Sequence, residues 1–203
     1  MKKDFKVWAL GDWHLQHFKL ATLWKTRPLD YETQLLANYD AVIKPNHLVI
    51  FVGDMMFKGH ISRPWFAHIS QTLQGTKILI RGNHDYPKKF PDEYWINDCG
   101  FKKVYFNNLV LGNILFSHFP ITRDPTDDRG LKLIDWLNRA FVLTQCDYNV
   151  HGHVHDYRVP DPKCICTCPE QTDYKPVDVT PLFKNLKKIH KFTRTLQWAQ
   201  IFT

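Results

Sequence analysis

Five short polar blocks lie along the 203-residue chain, and together they carry residue types that bind metal ions. The blocks are Asp12-Trp13-His14, Gly53-Asp54, Gly82-Asn83-His84-Asp85, Ser117-His118 and Gly152-His153-Val154-His155. Their oxygen and ring-nitrogen donors are Asp12, His14, Asp54, Asn83, His118, His153 and His155. Carboxylate, amide and imidazole donors in this mixture suit divalent ions of borderline hardness, such as manganese, iron or zinc, better than a thiolate site does. The chemistry that such a set predicts is metal-assisted hydrolysis at phosphorus.

Each block follows a short apolar run that is typical of a buried β-strand. The five runs are Val7–Leu10, His47–Val52, Lys77–Ile80, Asn113–Phe116 and Asp147–Val150. Periodicity alone leaves short buried helices open as an alternative for runs of this length. Ligands of open α/β folds gather outside the carboxyl ends of strands, so we expect the five blocks to meet at one edge of the predicted sheets.

Three stretches between these runs have apolar residues at helical spacing, and they predict helices over Tyr31–Ile43, Trp65–Leu73 and Leu131–Leu143. The first helix is expected to stop before Pro45, which cannot continue a helix. A chain of this length buries about 70% of the surface that it exposes when unfolded, which suffices for one full core. We therefore expect one domain over residues 1–203, with a core over 5–182 and a basic, aromatic tail over 183–203.

The order and content of the blocks resemble the calcineurin-like metallophosphoesterases. That family's pattern is D-x-H, GD, GNH(D/E), a lone His and GHxH, and the matching segments here begin at Asp12, Gly53, Gly82, His118 and Gly152. The chain is similar, more narrowly, to the small single-domain phosphoesterases of phages and bacteria. Those proteins carry D-x-H-F-x-H and R-P-F, and here Leu15 and Leu29 replace the two Phe residues. The resemblance covers roughly residues 5 to 182, so it is not a single signature.

The resemblance implies a four-layer α/β/β/α sandwich, in which two mixed sheets are flanked by helices. It also implies two metal ions, one bound by Asp12, His14, Asp54 and His155, the other by Asp54, Asn83, His118 and His153. Asp54 would therefore bridge, and two cations about 3.5–4 Å apart do need a shared anion between them. Manganese is the expected ion, with iron, zinc, nickel and cobalt as alternatives.

His84 is not among the implied ligands, and it is the candidate general acid. Its place beside Asn83 would aim the imidazole at the leaving-group oxygen, while a metal-bridging hydroxide attacks phosphorus in line. Asp85 resembles the family's orienting carboxylate, which would fix the His84 ring through a hydrogen bond. His17 and Arg27 would either contact the substrate phosphate or hold the loop, because arginine forks serve both purposes.

The expected function is hydrolysis of a phosphodiester or a phosphomonoester, on a small nucleotide-like or otherwise phosphorylated substrate. Phosphoserine-type protein phosphatases share the metal blocks but carry GD-x-V-D-R-G at the second, whereas Gly53-Asp54 is followed here by Met55-Met56-Phe57-Lys58-Gly59. A nuclease acting on DNA or RNA is one alternative, although such relatives usually carry a DNA-binding addition. A non-catalytic protein-binding scaffold is the other, but the presence of His84 and all seven ligands favours an enzyme.

The net charge is +7, and residues 184–203 supply five cations and no acid: Lys184, Lys187, Lys188, Lys191 and Arg194. Because Phe192, Trp198 and Phe202 are interleaved with these cations, nucleic-acid binding by the tail is one hypothesis. The interpretation that we favour is a terminal helix or strand that docks by its aromatic residues and keeps its lysines in water.

The charged start of the chain is followed by an apolar run of only Val7–Leu10, too short for a signal peptide, and no apolar stretch is long enough for a membrane span. A cytoplasmic protein with reduced thiols and no membrane partner is expected. Three of the five cysteines form the run Cys164, Cys166 and Cys168. We expect a strand in which they act as small apolar residues, with metal binding as the alternative.

Overall fold

Two β-sheets form the centre of the computed structural model, which describes residues 4–57, 63–85, 88, 90–122 and 130–198. The strands of the first sheet are, in spatial order, Lys103–Tyr105 (β4), Thr76–Ile80 (β3), Leu48–Phe51 (β2), Val7–Leu10 (β1) and Val177–Asp178 (β9). The strands of the second are Asn108–Leu111 (β5), Ile114–Ser117 (β6), Tyr148–His151 (β7) and Cys164–Cys166 (β8).

Both sheets are mixed, as expected. Strands β1 to β4 are parallel to one another and β9 pairs antiparallel with β1. In the second sheet β6, β7 and β8 are parallel, while β5 forms an antiparallel hairpin with β6. All five predicted strands are confirmed, and so is the strand that contains the first two cysteines of the run.

Within the described ranges, six α-helices lie between or after the strands: Phe18–Thr22 (α1), Tyr31–Val42 (α2), Arg63–Thr72 (α3), Leu131–Leu143 (α4), Pro169–Thr172 (α5) and Leu186–Trp198 (α6). Short π-helical and 3₁₀ turns cover Tyr94–Asp98 and Thr180–Leu182. The three predicted helices are confirmed as α2, α3 and α4. Helix α2 ends because Ile43 turns to extended backbone, two residues before Pro45.

Alternating side chains along β1 show how the layers form. Val7 and Ala9 join the apolar core between the two sheets, which also holds Phe116 of β6. Trp8 and Leu10 point to the opposite face, where they belong to the core beneath α2 and α3. A third core packs α4 on the outer face of the second sheet. The expected four-layer α/β/β/α sandwich is therefore confirmed.

Helix α6 carries most of the basic tail and packs against the core between the two sheets. Of the three aromatic residues interleaved with the cations, Phe192 has a described side chain, which is partly buried against that core. Ile189 is buried beside Gly112, and the ring of His190 lies 4.6 Å from that of Phe5. The five cations counted above are exposed. Phe5 and Gly112 precede β1 and β6, so α6 begins at the end of the sheets opposite to the predicted ligands. Phe202 and the side chain of Trp198 lie outside the described part of the chain. Within that part, none of the helices combines the length and the apolar character that crossing a membrane requires.

Lys77 on β3 is a cation buried to 3% exposure. Its ammonium group donates to the carbonyl oxygens of Ser70 and, at 3.0 Å, Cys99, and lies 3.2 Å from the Ser70 hydroxyl. These carbonyls lie at the ends of α3 and of the π-helical turn, where backbone acceptors lack a partner within the helix. Burial lowers the pKa of Lys77 from 10.5 to about 8.

Replacement of Lys77 by Met should change the pH dependence of stability. Because the pKa is lower in the folded protein, the folded state holds fewer protons than the unfolded chain between about pH 8 and 10.5. The stability from this group is complete above pH 10.5 and is lost as the pH falls through 8. Urea unfolding at pH 8, 9 and 10 should show the wild type gaining stability relative to Lys77→Met as the pH rises. Parallel pH profiles would contradict this assignment.

Candidate metal centre

The five blocks meet at one edge of the sandwich. Each follows the carboxyl end of a strand that is parallel to its neighbour: β1, β2 and β3 in the first sheet, β6 and β7 in the second. There are two groups of potential ligand atoms, and within each group the atoms lie within 4.8 Å of one another. One group comes from Asp12, His14 and His155, and the other comes from Asp12, Asp54 and His118. The two sheets thus bring residues from distant parts of the sequence to one point.

Asp54 lies between the two predicted ligand sets. Its Oδ2 is 3.7 Å from Nε2 of His14, a member of the first set, and 3.4 Å from Nε2 of His118, a member of the second. The same oxygen is 3.8 Å from Nε2 of His84. One carboxylate therefore faces both sets, which is the position that a bridging ligand needs.

The second set converges on the side chain of Asn83. Its Oδ1 lies 2.9 Å from Nε2 of His118 and 3.1 Å from Nδ1 of His153. The other ring nitrogen of His118 lies 2.8 Å from the carbonyl oxygen of Val52, so its Nε2 faces the centre. Burial disfavours a charged His118 ring, but the Asp54 and Asp12 carboxylates outweigh burial and raise its pKa to about 10. That proton must leave before Nε2 can bind a metal ion.

Asp12 and His14 provide the clearest test of whether a cation fits. Asp12 Oδ2 accepts a hydrogen bond from the His153 backbone, whereas Oδ1 and both ring nitrogens of His14 have no hydrogen-bond partner among the described residues. Asp12 Oδ1 is 3.8 Å from Nε2 of His14, too far for a hydrogen bond. Burial lowers the pKa of His14 well below its usual value, so the ring is neutral. A buried carboxylate oxygen and a neutral imidazole that face each other without a bond fit a divalent ion between them.

The backbone at the centre is held in an uncommon conformation. Five predicted ligands have left-handed φ angles: 51° at Asp12, 45° at His14, 53° at Asp54, 73° at His153 and 51° at His155. Such a residue costs on the order of 1–3 kcal/mol and persists only where the surrounding structure enforces it. This strain therefore marks the edge at which the blocks meet.

Two glycines of the blocks give the carboxylates their space. A Cβ atom on Gly82 would lie 2.0 Å from Oδ1 of Asp54, and one on Gly152 would lie 2.0 Å from Oδ2 of Asp12. No side chain fits at either distance. The glycines of GNH(D/E) and GHxH are thus required because the carboxylates pack directly against the backbone.

Arg27 contacts the first block through its whole guanidinium group. Nη1 donates to the carbonyl of Trp13 at 2.8 Å, Nη2 to that of Asp12 at 2.7 Å, and Nε to Glu170 Oε1 at 2.8 Å. The side chain is buried. Of the two roles expected for Arg27, these contacts support holding the loop. His17 is also buried, and its ring stacks on Phe57 with centroids 3.5 Å apart.

Glu170 is a site residue that the sequence analysis did not select. Its Oε1 also lies 3.0 Å from Nδ1 of His155, which leaves Nε2 of that ring for the centre. Burial would raise the pKa of Glu170, but His155 and Arg27 outweigh burial and lower it to about 2. The available signal was that Glu170 is the single charged residue between Cys164 and Thr172.

His84 has access to both the centre and solvent, since 26% of its side chain is exposed. Its backbone N–H donates to Asp54 Oδ1 at 2.8 Å. The expected hydrogen bond from Asp85 to the His84 ring needs correction. Asp85 Oδ2 instead accepts from the backbone N–H groups of Asp54 and Gly82, at 2.8 and 2.9 Å, and its Oδ1 has no hydrogen-bond partner in the described ranges. Burial, and then the charge of Asp54, raise the pKa of Asp85 to about 7. Asp85 therefore joins the second and third blocks through their backbone.

All five cysteines are free thiols. Cys164 and Cys166 belong to β8, as expected, whereas Cys168 ends the run beneath the centre. Its buried Sγ lies 3.5 Å from Asp12 Oδ2, and burial raises the pKa of this thiol well above its usual value. The protonated thiol thus adds a weak donor to the oxygen that the His153 backbone already holds.

Replacement of Gly152 by Ala should impair metal binding. The new methyl group would displace the Asp12 carboxylate. We expect manganese affinity to fall about tenfold or more, which is the loss seen when a group that positions a metal ligand is removed. Isothermal titration of metal-stripped protein with manganese measures this. Gly100→Ala is the control for the added methyl group, because a Cβ atom at Gly100 would meet only Lys77 Nζ, at 3.7 Å. Gly100 has a φ of +73°, so this control adds backbone strain that Gly152→Ala does not. Equal affinities in the two variants would contradict the packing argument.

Replacement of Glu170 by Gln should also weaken metal binding. The amide oxygen could still make both contacts that Oε1 makes, but the side chain would lose its charge, and Arg27 would remain as a buried cation without its carboxylate. We expect a loss of about 10–100-fold in manganese affinity. Asp173→Asn is the matched control, since Asp173 is exposed and pairs with Lys175. Unchanged affinity in Glu170→Gln would exclude a role for the Glu170 charge in supporting the centre.

The chain is similar to one protein family and to several solved structures. The sequence profile of the calcineurin-like phosphoesterases matches residues 5–157. No curated protein matches the chain. Among solved structures, a protein of unknown function from Aquifex aeolicus is 26% identical, with a TM-score of 0.74 over 88% of this chain and 97% of that chain. An archaeal phosphodiesterase is 16% identical, with a TM-score of 0.45 over 83% and 88% of the two chains. A cold-active protein tyrosine phosphatase is 16% identical, with a TM-score of 0.44 over 82% and 72%. The chain belongs to the calcineurin-like phosphoesterase family.

Proposed function

We propose that the protein is a two-metal phosphoesterase that hydrolyses a phosphodiester or phosphomonoester of a small, nucleotide-like molecule. Membership of the family supports the reaction class. The observation that supports the two-metal site most directly is the position of Asp54, whose Oδ2 lies 3.7 Å from His14 and 3.4 Å from His118. A single carboxylate between two sets of donors is what two neighbouring cations require.

The residues that would hold the ions are those named from the resemblance. Asp12, His14, Asp54 and His155 would hold one ion, and Asp54, Asn83, His118 and His153 the other. Manganese is the first choice, with iron, zinc, nickel and cobalt as alternatives. When bound, such a pair supplies Lewis acidity for the phosphoryl oxygens and a water of lowered pKa.

His84 would supply the proton. Its Nε2 lies near Asp54 and its ring is partly exposed, so a leaving-group oxygen can reach it from solvent. A positioned acid of this kind contributes about 10²–10⁴-fold to the rate. The bond from the His84 backbone to Asp54 Oδ1 fixes the acid relative to the carboxylate. Asp85 would act as a positioning residue, because it holds the backbone of Asp54 and Gly82.

The place of α6 favours a small substrate over a polynucleotide. Lys187, Lys188, Lys191 and Arg194 on this helix are exposed, but the helix begins near Phe5 and Gly112, at the end of the sheets opposite to the centre. A small phosphorylated molecule can reach the exposed part of His84 without any contact to α6.

His84→Ala should lose about 10²–10⁴-fold in kcat while it binds manganese nearly normally. The loss should be greatest for esters with poor leaving groups, since these need protonation most. The assay compares an aryl phosphodiester with the matching monoester, on metal-stripped protein before and after manganese is restored. The ester with the higher kcat/KM identifies the substrate class.

Asp54→Ala is the second variant. It should lose both bound metal and activity, because the Asp54 carboxylate is proposed to bind both ions. Full activity in His84→Ala would remove His84 from the mechanism. A wild-type protein that binds manganese but hydrolyses neither ester would contradict the proposed function and favour a binding scaffold.

A further inference from the structure

A cavity of about 320 Å³ opens directly beside His155. Leu20, Trp24 and Thr26 line one side, and His155, Asp156 and Glu170 line the other. Ligand pockets span about 300–1,000 Å³, so this one has room for a single ring system rather than a whole nucleotide. His155 is a wall of the cavity and also a member of the first ligand set. A group in the cavity would therefore lie next to a phosphoester held at the centre.

Trp24 presents a large aromatic surface to this cavity and to solvent, with 53% of the residue exposed. Its ring packs at 88° against His17, whose centroid is 5.1 Å away, and His17 stacks on Phe57. The indole is therefore held by an edge-to-face contact with His17, which itself stacks on Phe57. Among the described residues, half of the exposed large apolar side chains fall within residues 18–29: Phe18, Leu23, Trp24 and Leu29. Of these four side chains, Trp24 lines the cavity, and its exposed apolar surface favours a binding site there.

The charges around the cavity limit what it can accept. Asp156 and Glu170 are acids, and the described residues that line the cavity include neither lysine nor arginine. Because Glu170 is paired with Arg27 and His155, the exposed Asp156 carboxylate is the charge that would repel a second phosphate group. An uncharged planar ring would be accepted, and the exposed Asp156 carboxylate could receive a hydrogen bond from a ring N–H.

The cavity is lined by His155 and not by His84, the proposed acid. The His155 ring is stacked on that of His14, with centroids 5.3 Å apart, whereas the His84 ring meets His14 at 76°. The two rings thus contact His14 in different geometries, with His155 stacked and His84 edge to face. The leaving group belongs with His84, so the group beside His155 is the arm that stays on phosphorus.

We propose that this cavity receives an uncharged, planar aromatic arm of a phosphodiester, stacked on Trp24, and that Trp24 sets a preference for aromatic over aliphatic arms. The inference rests on the proposed function. A nucleobase and a simple aryl ring share the required chemistry. Loss of base–aromatic stacking on alanine substitution costs about tenfold or more in affinity.

Three p-nitrophenyl phosphodiesters with the same leaving group test the preference. Their retained arms are thymidine 5′-yl, phenyl and methyl. Trp24→Ala should lower kcat/KM about tenfold for an aromatic arm and leave the methyl ester within about twofold, while Trp24→Phe keeps most of the preference. Trp136→Ala is the matched control, because Trp136 on α4 is also exposed, at 47%. An equal loss on all three esters, or no loss on any, would overturn the proposal.

A binding measurement separates this inference from the proposed activity. Protein labelled with 5-fluorotryptophan gives a ¹⁹F resonance for position 24, assigned by its loss in Trp24→Phe. Thymidine 5′-methyl phosphate or phenyl methyl phosphate should shift this resonance, and dimethyl phosphate should not. The aromatic ester that shifts it identifies the source of the ring. A shift without any hydrolysis by the wild type would support the cavity and contradict the phosphoesterase, whereas hydrolysis without a shift would do the reverse.

Discussion

Three carboxylates are buried at one edge of the two sheets, and the arrangement of the surrounding residues depends on how their charges are stabilised. Asp12, Asp54 and Asp85 are almost completely removed from water, and each buried charge is costly unless it is paired. Asp85 accepts hydrogen bonds from two backbone N–H groups, and Asp54 pairs with the ring of His118. Asp12 keeps one oxygen without a hydrogen bond in the described chain, facing an equally unpaired imidazole. The strained turns and the two glycines exist to hold these groups together.

The centre is also a joint between the two sheets. Asp12 follows β1 of the first sheet, and it accepts a hydrogen bond from the backbone of His153, which follows β7 of the second. Arg27 and Glu170 form a second link between the turns that follow β1 and β7. Arg27 donates to carbonyl oxygens of the first block and to Glu170, and Glu170 also contacts the ring of His155. The donors of both ligand sets are thus fixed relative to each other by backbone contacts as well as by side chains.

Much of this arrangement could be predicted from the sequence, because the information is local. The period of two in β1 separates Trp8 and Leu10 from Val7 and Ala9, and the helical period marks α2 and α4 within a residue of their ends. The ligand blocks carry their own signature. The partner of Asp85 and the role of Glu170 could not be predicted in this way. They depend on how turns from different strands close on one another, and the contact of Glu170 with Arg27 spans 143 residues of sequence.

The two ends of the sandwich perform separate tasks. At the carboxyl ends of the strands, the polar residues are packed so closely that a single methyl group on Gly82 or Gly152 has no room. At the amino ends, α6 covers the apolar gap with Ile189 and leaves its cations in solvent. Substitutions can therefore change the charge on the outer face of α6 during evolution, and with it the solubility or the binding partners of the protein. Such substitutions leave the residues at the ligand edge unchanged.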